Sequence, residues 1–168
     1  MSLIYGDNFT GQTTLSSGYN FRNLFYNCTS LISAENLILP ATTLAPYCYQ
    51  NMFYGCTSLT TAPTILPATT LVARCYYAMF SNCSSLTTAP ELPATTLSDY
   101  CYNGMFFNCP RLNHVTCLAT NISASNCTTN WLYMVADTGT FTKAPSMTSW
   151  TTGADGIPSG WTVQDATS

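Results

Sequence analysis

Apolar and polar positions follow one pattern that returns again and again. From Leu39 to Pro63 the chain reads LPATTLAPYCYQNMFYGCTSLTTAP, and close copies begin at Leu66 and Leu92. Within a copy, Leu44, Cys48, Met52, Phe53 and Cys56 stand at i, i+4, i+8, i+9 and i+12. That spacing predicts an apolar stripe down one face of a short helix. Thr or Ser just before it offers an N-cap, and the Gly or Asn of YGC, SNC and FNC offers an exit. The following SLTTAP predicts a short Thr-rich strand, closed by Pro63 and Pro90. Each unit therefore reads as strand, loop, helix and turn.

The register is kept at many positions. Cys48, Cys75, Cys101 and Cys127 are separated by 27, 26 and 26 residues, and Cys28, Cys56, Cys83 and Cys109 by 28, 27 and 26. Met52, Met79 and Met105 keep step, as do Phe53, Phe80 and Phe106, and Leu31, Leu59, Leu86 and Leu112. Length changes fall only between the Ala-Pro ending and the next Leu-Pro, which marks a surface loop. A single unit cannot bury its own apolar face, whereas stacked units can. The expected fold is an α/β, leucine-rich-repeat-type curved solenoid. Short parallel strands would lie roughly 4.8 Å apart on one wall. Short helices on the other wall would lie roughly 8–10 Å apart, and that mismatch bends the stack. Residues 1–20 read as an N-terminal cap, 21–145 as four to five units, and 146–168 as a C-terminal cap or tail in which Trp150 and Trp161 cover the last coil.

The segments MFYGCTSLTTAP and MFSNCSSLTTAP resemble the Phe-x-x-Cys-x-x-Leu signature of BspA-like leucine-rich repeats of bacterial surface proteins. The resemblance runs from about Leu15 to Pro145. It implies a curved solenoid, secretion or display on a bacterial surface, and adhesion to other molecules. The common family unit is a few residues shorter between the Pro and the Met-Phe pair, which implies a longer helical segment here.

Charge narrows the function. Only 7% of residues are charged, with seven carboxylates against four basic side chains and no Lys/Arg cluster. Nucleic acid is excluded as a partner for want of an electrostatic footprint. Apolar runs are too short to span a bilayer. The start MSLIYGDNF has no signal-peptide pattern. Either the chain is not exported by that route or it is a trimmed piece of a secreted protein, and the weakly charged, Thr/Tyr-rich composition favours an extracellular or cell-surface setting.

Candidate chemistry is sparse. Two ladders of four account for eight of the nine cysteines, leaving Cys117 apart. With no C-x-x-C, a zinc site is not expected, although His114 and Cys117 are close in sequence. Buried thiols filling tight positions account for the ladders better than coil-to-coil disulfides. The carboxylates Asp7, Glu35, Glu91, Asp99, Asp137, Asp155 and Asp165 are scattered, His114 is the only histidine, and no phosphate-binding loop occurs. No catalytic residue, metal or cofactor is expected. Tyr49, Tyr76 and Tyr102 align, and Tyr47 and Tyr100 form a partial file broken by Arg74. These rings could form a sticky strip for protein or sugar, or pack within the stack. Ser33, Thr61, Thr88 and His114 face outward from the strands, on the side where solenoids commonly bind. The N-x-[ST] matches at Asn8, Asn27, Asn82, Asn121 and Asn126 are partly products of the repeat.

The expected function is a non-catalytic, secreted or surface-displayed module that adheres to a protein or glycan on a host or neighbouring cell. The binding residues would be Thr61, Thr88, His114, Tyr49, Tyr76 and Tyr102. A structural spacer or appendage component, and a carbohydrate-binding module, are the alternatives.

Overall fold

A computed structural model describes residues 11–167. Asp7, Asn8 and the first half of the expected N-terminal cap lie outside the described residues. Each repeat forms one coil of a stack, but the described residues contain no α-helix. This overturns the expected α/β architecture of leucine-rich-repeat type. The wall assigned to helices is built from chains of β-turns at residues 18–27, 46–55, 73–82, 99–108 and 125–134.

Backbone sterics explain the correction. In each turn segment every fourth residue has positive φ: Tyr47 at 60°, Asn51 at 53° and Gly55 at 71° in one coil, then Arg74, Ala78 and Asn82 in the next. A left-handed residue at every fourth position cannot propagate a right-handed helix. Seven asparagines and two glycines occupy nine of the fifteen such sites, the residue types that tolerate this region best. The apolar spacing is thus a true four-residue period. Cys48 and Tyr49 are buried, Gln50 and Asn51 are half-exposed, and Met52 and Phe53 are buried again. A 3.6-residue period would drift around the axis over the same length.

Amide bonding alternates with the same regularity. Met52 N–H donates to Tyr49 C=O at 3.2 Å, closing a turn, whereas Phe53 N–H donates to Met79 C=O of the next coil at 2.8 Å. Each step between turn segments carries five coil-to-coil bonds, and in every one the earlier coil donates to the later. The peptides that carry these coil-to-coil bonds, every second one in the wall, therefore align their dipoles along the stack. At the donor end, the Asp155 carboxylate accepts the Asn130 N–H at 2.6 Å, placing an anion where amides converge.

The strand wall is bonded differently. Ser33, Thr61, Thr88 and His114 form successive parallel bridges, and Thr14, Thr43, Thr70, Thr96 and Asn121 form a second file. Bonds run both ways here: Thr60 N–H donates back to Ile32 C=O and Ala34 N–H forward to Thr61 C=O, each at 2.8 Å. Toward the C-terminus the bridges widen into a parallel sheet of β1 (His114–Cys117), β2 (Gly139–Lys143) and β3 (Trp161–Asp165), in that order. His114 pairs with Thr140, and Thr140 with Thr162. Gly139 permits this approach: a β-carbon there would lie 2.5 Å from Asn113 C=O and 2.8 Å from the Trp161 ring.

Between the walls like residues lie over like. Phe25, Phe53, Phe80 and Phe106 stack at 5.3, 5.1 and 5.6 Å. Leu59, Leu86 and Leu112 are fully buried, with Leu31 partly covered at the N-terminal end. The turn wall thus rises by nearly the strand spacing of about 4.8 Å, and the difference in rise that predicted curvature is absent. At the far end Trp150 stacks on Trp131 at 5.4 Å, and the Trp131 indole N–H donates to Gly156 C=O at 2.8 Å.

All nine cysteines are free thiols, and all but Cys28 are buried. Cys56, Cys83 and Cys109 donate to the carbonyls of Phe25, Phe53 and Phe80 in the preceding coil at 3.0, 3.1 and 3.1 Å. A small apolar side chain with a weak donor suits this position. Burial pushes the thiols of Cys48, Cys101, Cys109 and Cys117 up to about 12, so they stay protonated at neutral pH and are poor nucleophiles.

Candidate binding groove

The four-residue period turns two positions of every four outward, and these build the outer face of the turn wall. The residue after each Met-Phe pair, or its equivalent, forms one file in which Tyr26, Tyr54, Phe107 and Tyr133 reach the surface while Ser81, in the third coil, is buried. Tyr26 and Tyr54 stack at 5.0 Å with planes 7° apart, and Phe107 lies 5.9 Å from Tyr133. A neighbouring file of left-handed positions holds Asn23, Asn51, Ala78, Gly104 and Asn130. Between the files runs an open groove of about 400 Å³, lined by Tyr26, Tyr54, Tyr77, Phe107, Asn51 and Asn103 among others, with Ala78, Ser81 and Gly104 at its base.

No charged side chain lines this groove. Its rings offer flat apolar surface, and carboxamides beside them can both donate and accept. Beside it, Arg74 is held by the Tyr47 hydroxyl at 2.8 Å and lies over the Tyr100 ring at 4.6 Å. The Tyr47 hydrogen bond favours the charged guanidinium and raises its ionisation further. Arg74 thus fills the break in the Tyr47/Tyr100 file as a packed cation.

The six residues expected to bind fall into two groups that the structure does not bring together. Tyr49, Tyr76 and Tyr102 are core residues, each about 1% exposed. They stack on one another at 5.6 and 6.1 Å, between Phe21 and Trp131. Burial pushes the Tyr76 and Tyr102 hydroxyls well above their ordinary range. These three side chains hold the stack and present no strip to a ligand. Thr61, Thr88 and His114 lie in one file on the strand wall, the first two exposed and His114 half-buried.

The groove residues were missed because a helical period puts the wrong rings on the surface. Their signal was the aromatic directly after Met-Phe, two residues before Cys, with Asn or Gly following it. A second cavity of about 240 Å³ sits in the C-terminal region among Met147, Trp150, Ile157, Trp161 and Val163, where the rings are engaged in packing the cap. Among the described residues no cluster of His, Cys, Asp and Glu could hold a metal ion, and no helix is long and apolar enough to cross a membrane. Comparison with protein-family models, curated proteins and solved structures finds no match.

Proposed function

We propose that this chain is a non-catalytic recognition module, secreted or displayed at a cell surface, that binds neutral glycan along the outer face of its turn wall. The supporting observation is the uncharged groove in which stacked aromatic rings lie beside Asn51, Asn103 and Asn130. Rings cover the apolar faces of sugars, and carboxamides match hydroxyl groups that both donate and accept. Without fixed charge in the groove, an anionic ligand would meet no counterion to offset its desolvation.

The test is binding of neutral oligosaccharides (glucans, mannans and galactans, α- and β-linked) on an array, followed by calorimetry. Tyr54→Ala and Phe107→Ala should each weaken binding at least tenfold, and Thr61→Ala and Thr88→Ala should leave it unchanged. Loss on the threonine substitutions with full binding by the aromatic ones would move the site to the strand wall.

A further inference from the structure

We infer that Arg74 holds the carboxylate of an acidic sugar unit, in a cavity that opens beside the groove. This rests on the glycan reading and adds one charged unit to the neutral stretch that the groove takes. The cavity, of about 260 Å³, is lined by Gln50, Arg74, Tyr77 and Tyr100. Tyr77 also lines the groove, so a chain of sugars lying there can pass this ring and reach the guanidinium.

The backbone does not call for an arginine at this place. In the other coils it is taken by Tyr19, Tyr47, Tyr100 and Asn126, all of them left-handed like Arg74. The core does not call for one either, because Cys75, Tyr76, Met79 and Phe80 are buried as in the neighbouring coils. What the substitution supplies is a fixed cation on the outer face.

Arg74 donates to the Tyr47 hydroxyl at 2.8 Å, and its guanidinium carbon lies 4.6 Å from the centre of the Tyr100 ring and 5.5 Å from that of Tyr47. A side chain clamped in this way loses little further freedom when it binds. Tyr47 uses one of the five N–H donors. Among the described residues no carboxylate or carbonyl oxygen accepts from the others. Asp99, just before Tyr100, turns its carboxylate to the Ser125 N–H at 2.9 Å, and the single ion pair among the described residues joins Lys143 to Asp165. Arg74 stays half-exposed at the cavity. A guanidinium held without an anion matches the planar oxygens of a carboxylate. Tyr77 and Tyr100 beside it offer ring surface to a pyranose, and Gln50 offers a carboxamide to its hydroxyls. These neighbours favour a sugar acid over an acidic peptide.

Arg74→Tyr tests this, because it restores the residue type of the coils on either side and removes the charge. The probes are the best oligosaccharide from the neutral array and its two counterparts carrying a uronic acid at one end or the other, with acetate and a polyglutamate peptide alongside. Wild type should bind one acidic counterpart about tenfold more tightly than the neutral form, by a margin that shrinks as salt is raised. Arg74→Tyr should melt no lower than wild type and bind the acidic and neutral forms equally. On wild type, the Arg74 side-chain N–H resonances should shift with the acidic form and stay in place with the neutral one, a readout that needs no variant. Equal binding of all three oligosaccharides by wild type, or a preference that survives in Arg74→Tyr, would overturn the acidic subsite and leave the groove reading standing. Polyglutamate or acetate that binds as tightly as the acidic oligosaccharide would overturn the assignment to a sugar. Wild type that binds no neutral glycan would overturn both readings.

Discussion

The two walls of the stack solve one problem in different ways. Both must pass hydrogen bonds from coil to coil at nearly the same rise. The strand wall uses extended residues whose amides and carbonyls point alternately up and down the stack, so bonds run in both directions. The turn wall uses left-handed residues at every fourth position, so all its coil-to-coil donors point one way. The strand wall therefore tolerates β-branched side chains and presents Thr, whereas the turn wall favours Asn or Gly at its left-handed positions, nine of fifteen, and presents rings between them. A repeat can thus be equally strict on both sides while making different demands on its residues.

Alkaline pH should break both walls together and produces the largest expected effect. The buried thiols have folded-state values near 12, raised by burial above the ordinary 9.0. Between those values the unfolded chain releases protons that the folded chain retains, so stability falls as pH rises. The stack should be fully stable below about pH 9 and unfold progressively as pH approaches 12, followed by circular dichroism. Stability that holds across this window would mean the thiols are not buried.

Removing a shared core ring comes next. Phe80→Ala, at the centre of the inner phenylalanine column, should cost about 3–5 kcal/mol in urea unfolding. A cost below about 1 kcal/mol would contradict close packing there.

A smaller effect separates the walls. Asn51→Val puts a β-branched residue at φ 53° and should cost about 1–2 kcal/mol or more. Thr61→Val, exposed on the strand wall, should be neutral within about 0.5 kcal/mol. Equal costs at the two sites would erase the distinction. Smallest of all, Lys143→Ala removes the surface ion pair with Asp165 at the end of β2 and β3, and should cost no more than about 1 kcal/mol.

How much of this was legible in the sequence depends on the wall. The register of the cysteines, phenylalanines and leucines pointed to stacking, and these residues do lie in columns. The Thr-rich segments were readable only in part: at Ser33, Thr61 and Thr88 they carry single parallel bridges, and strands form only from His114 onward. The turn wall was misread because apolar residues at i, i+4 and i+8 suit a helical face as well as a four-residue turn period. What distinguishes them is the recurrence of Asn or Gly at the same interval, as at Asn51 and Gly55 or Asn126 and Asn130, and Tyr47, Arg74 and Tyr100 obscured it. The error then reached the binding residues. On a helix Tyr49, Tyr76 and Tyr102 could have faced water; in the turn wall they face the core, and the next aromatics along the chain are the ones exposed. Thr61, Thr88 and His114 were placed in one outward file by sequence, and nothing in their sequence told that an aromatic face lay on the other wall.

The central claim is that a left-handed residue recurs at every fourth position of the turn wall and replaces a helix. Nuclear magnetic resonance of the labelled protein measures this at individual residues. The account predicts strong intraresidue HN–Hα Overhauser contacts at Asn51, Asn82 and Asn108, with helical shifts absent from residues 46–55, 73–82 and 99–108. Runs of sequential amide contacts with helical carbon shifts across those segments would contradict it.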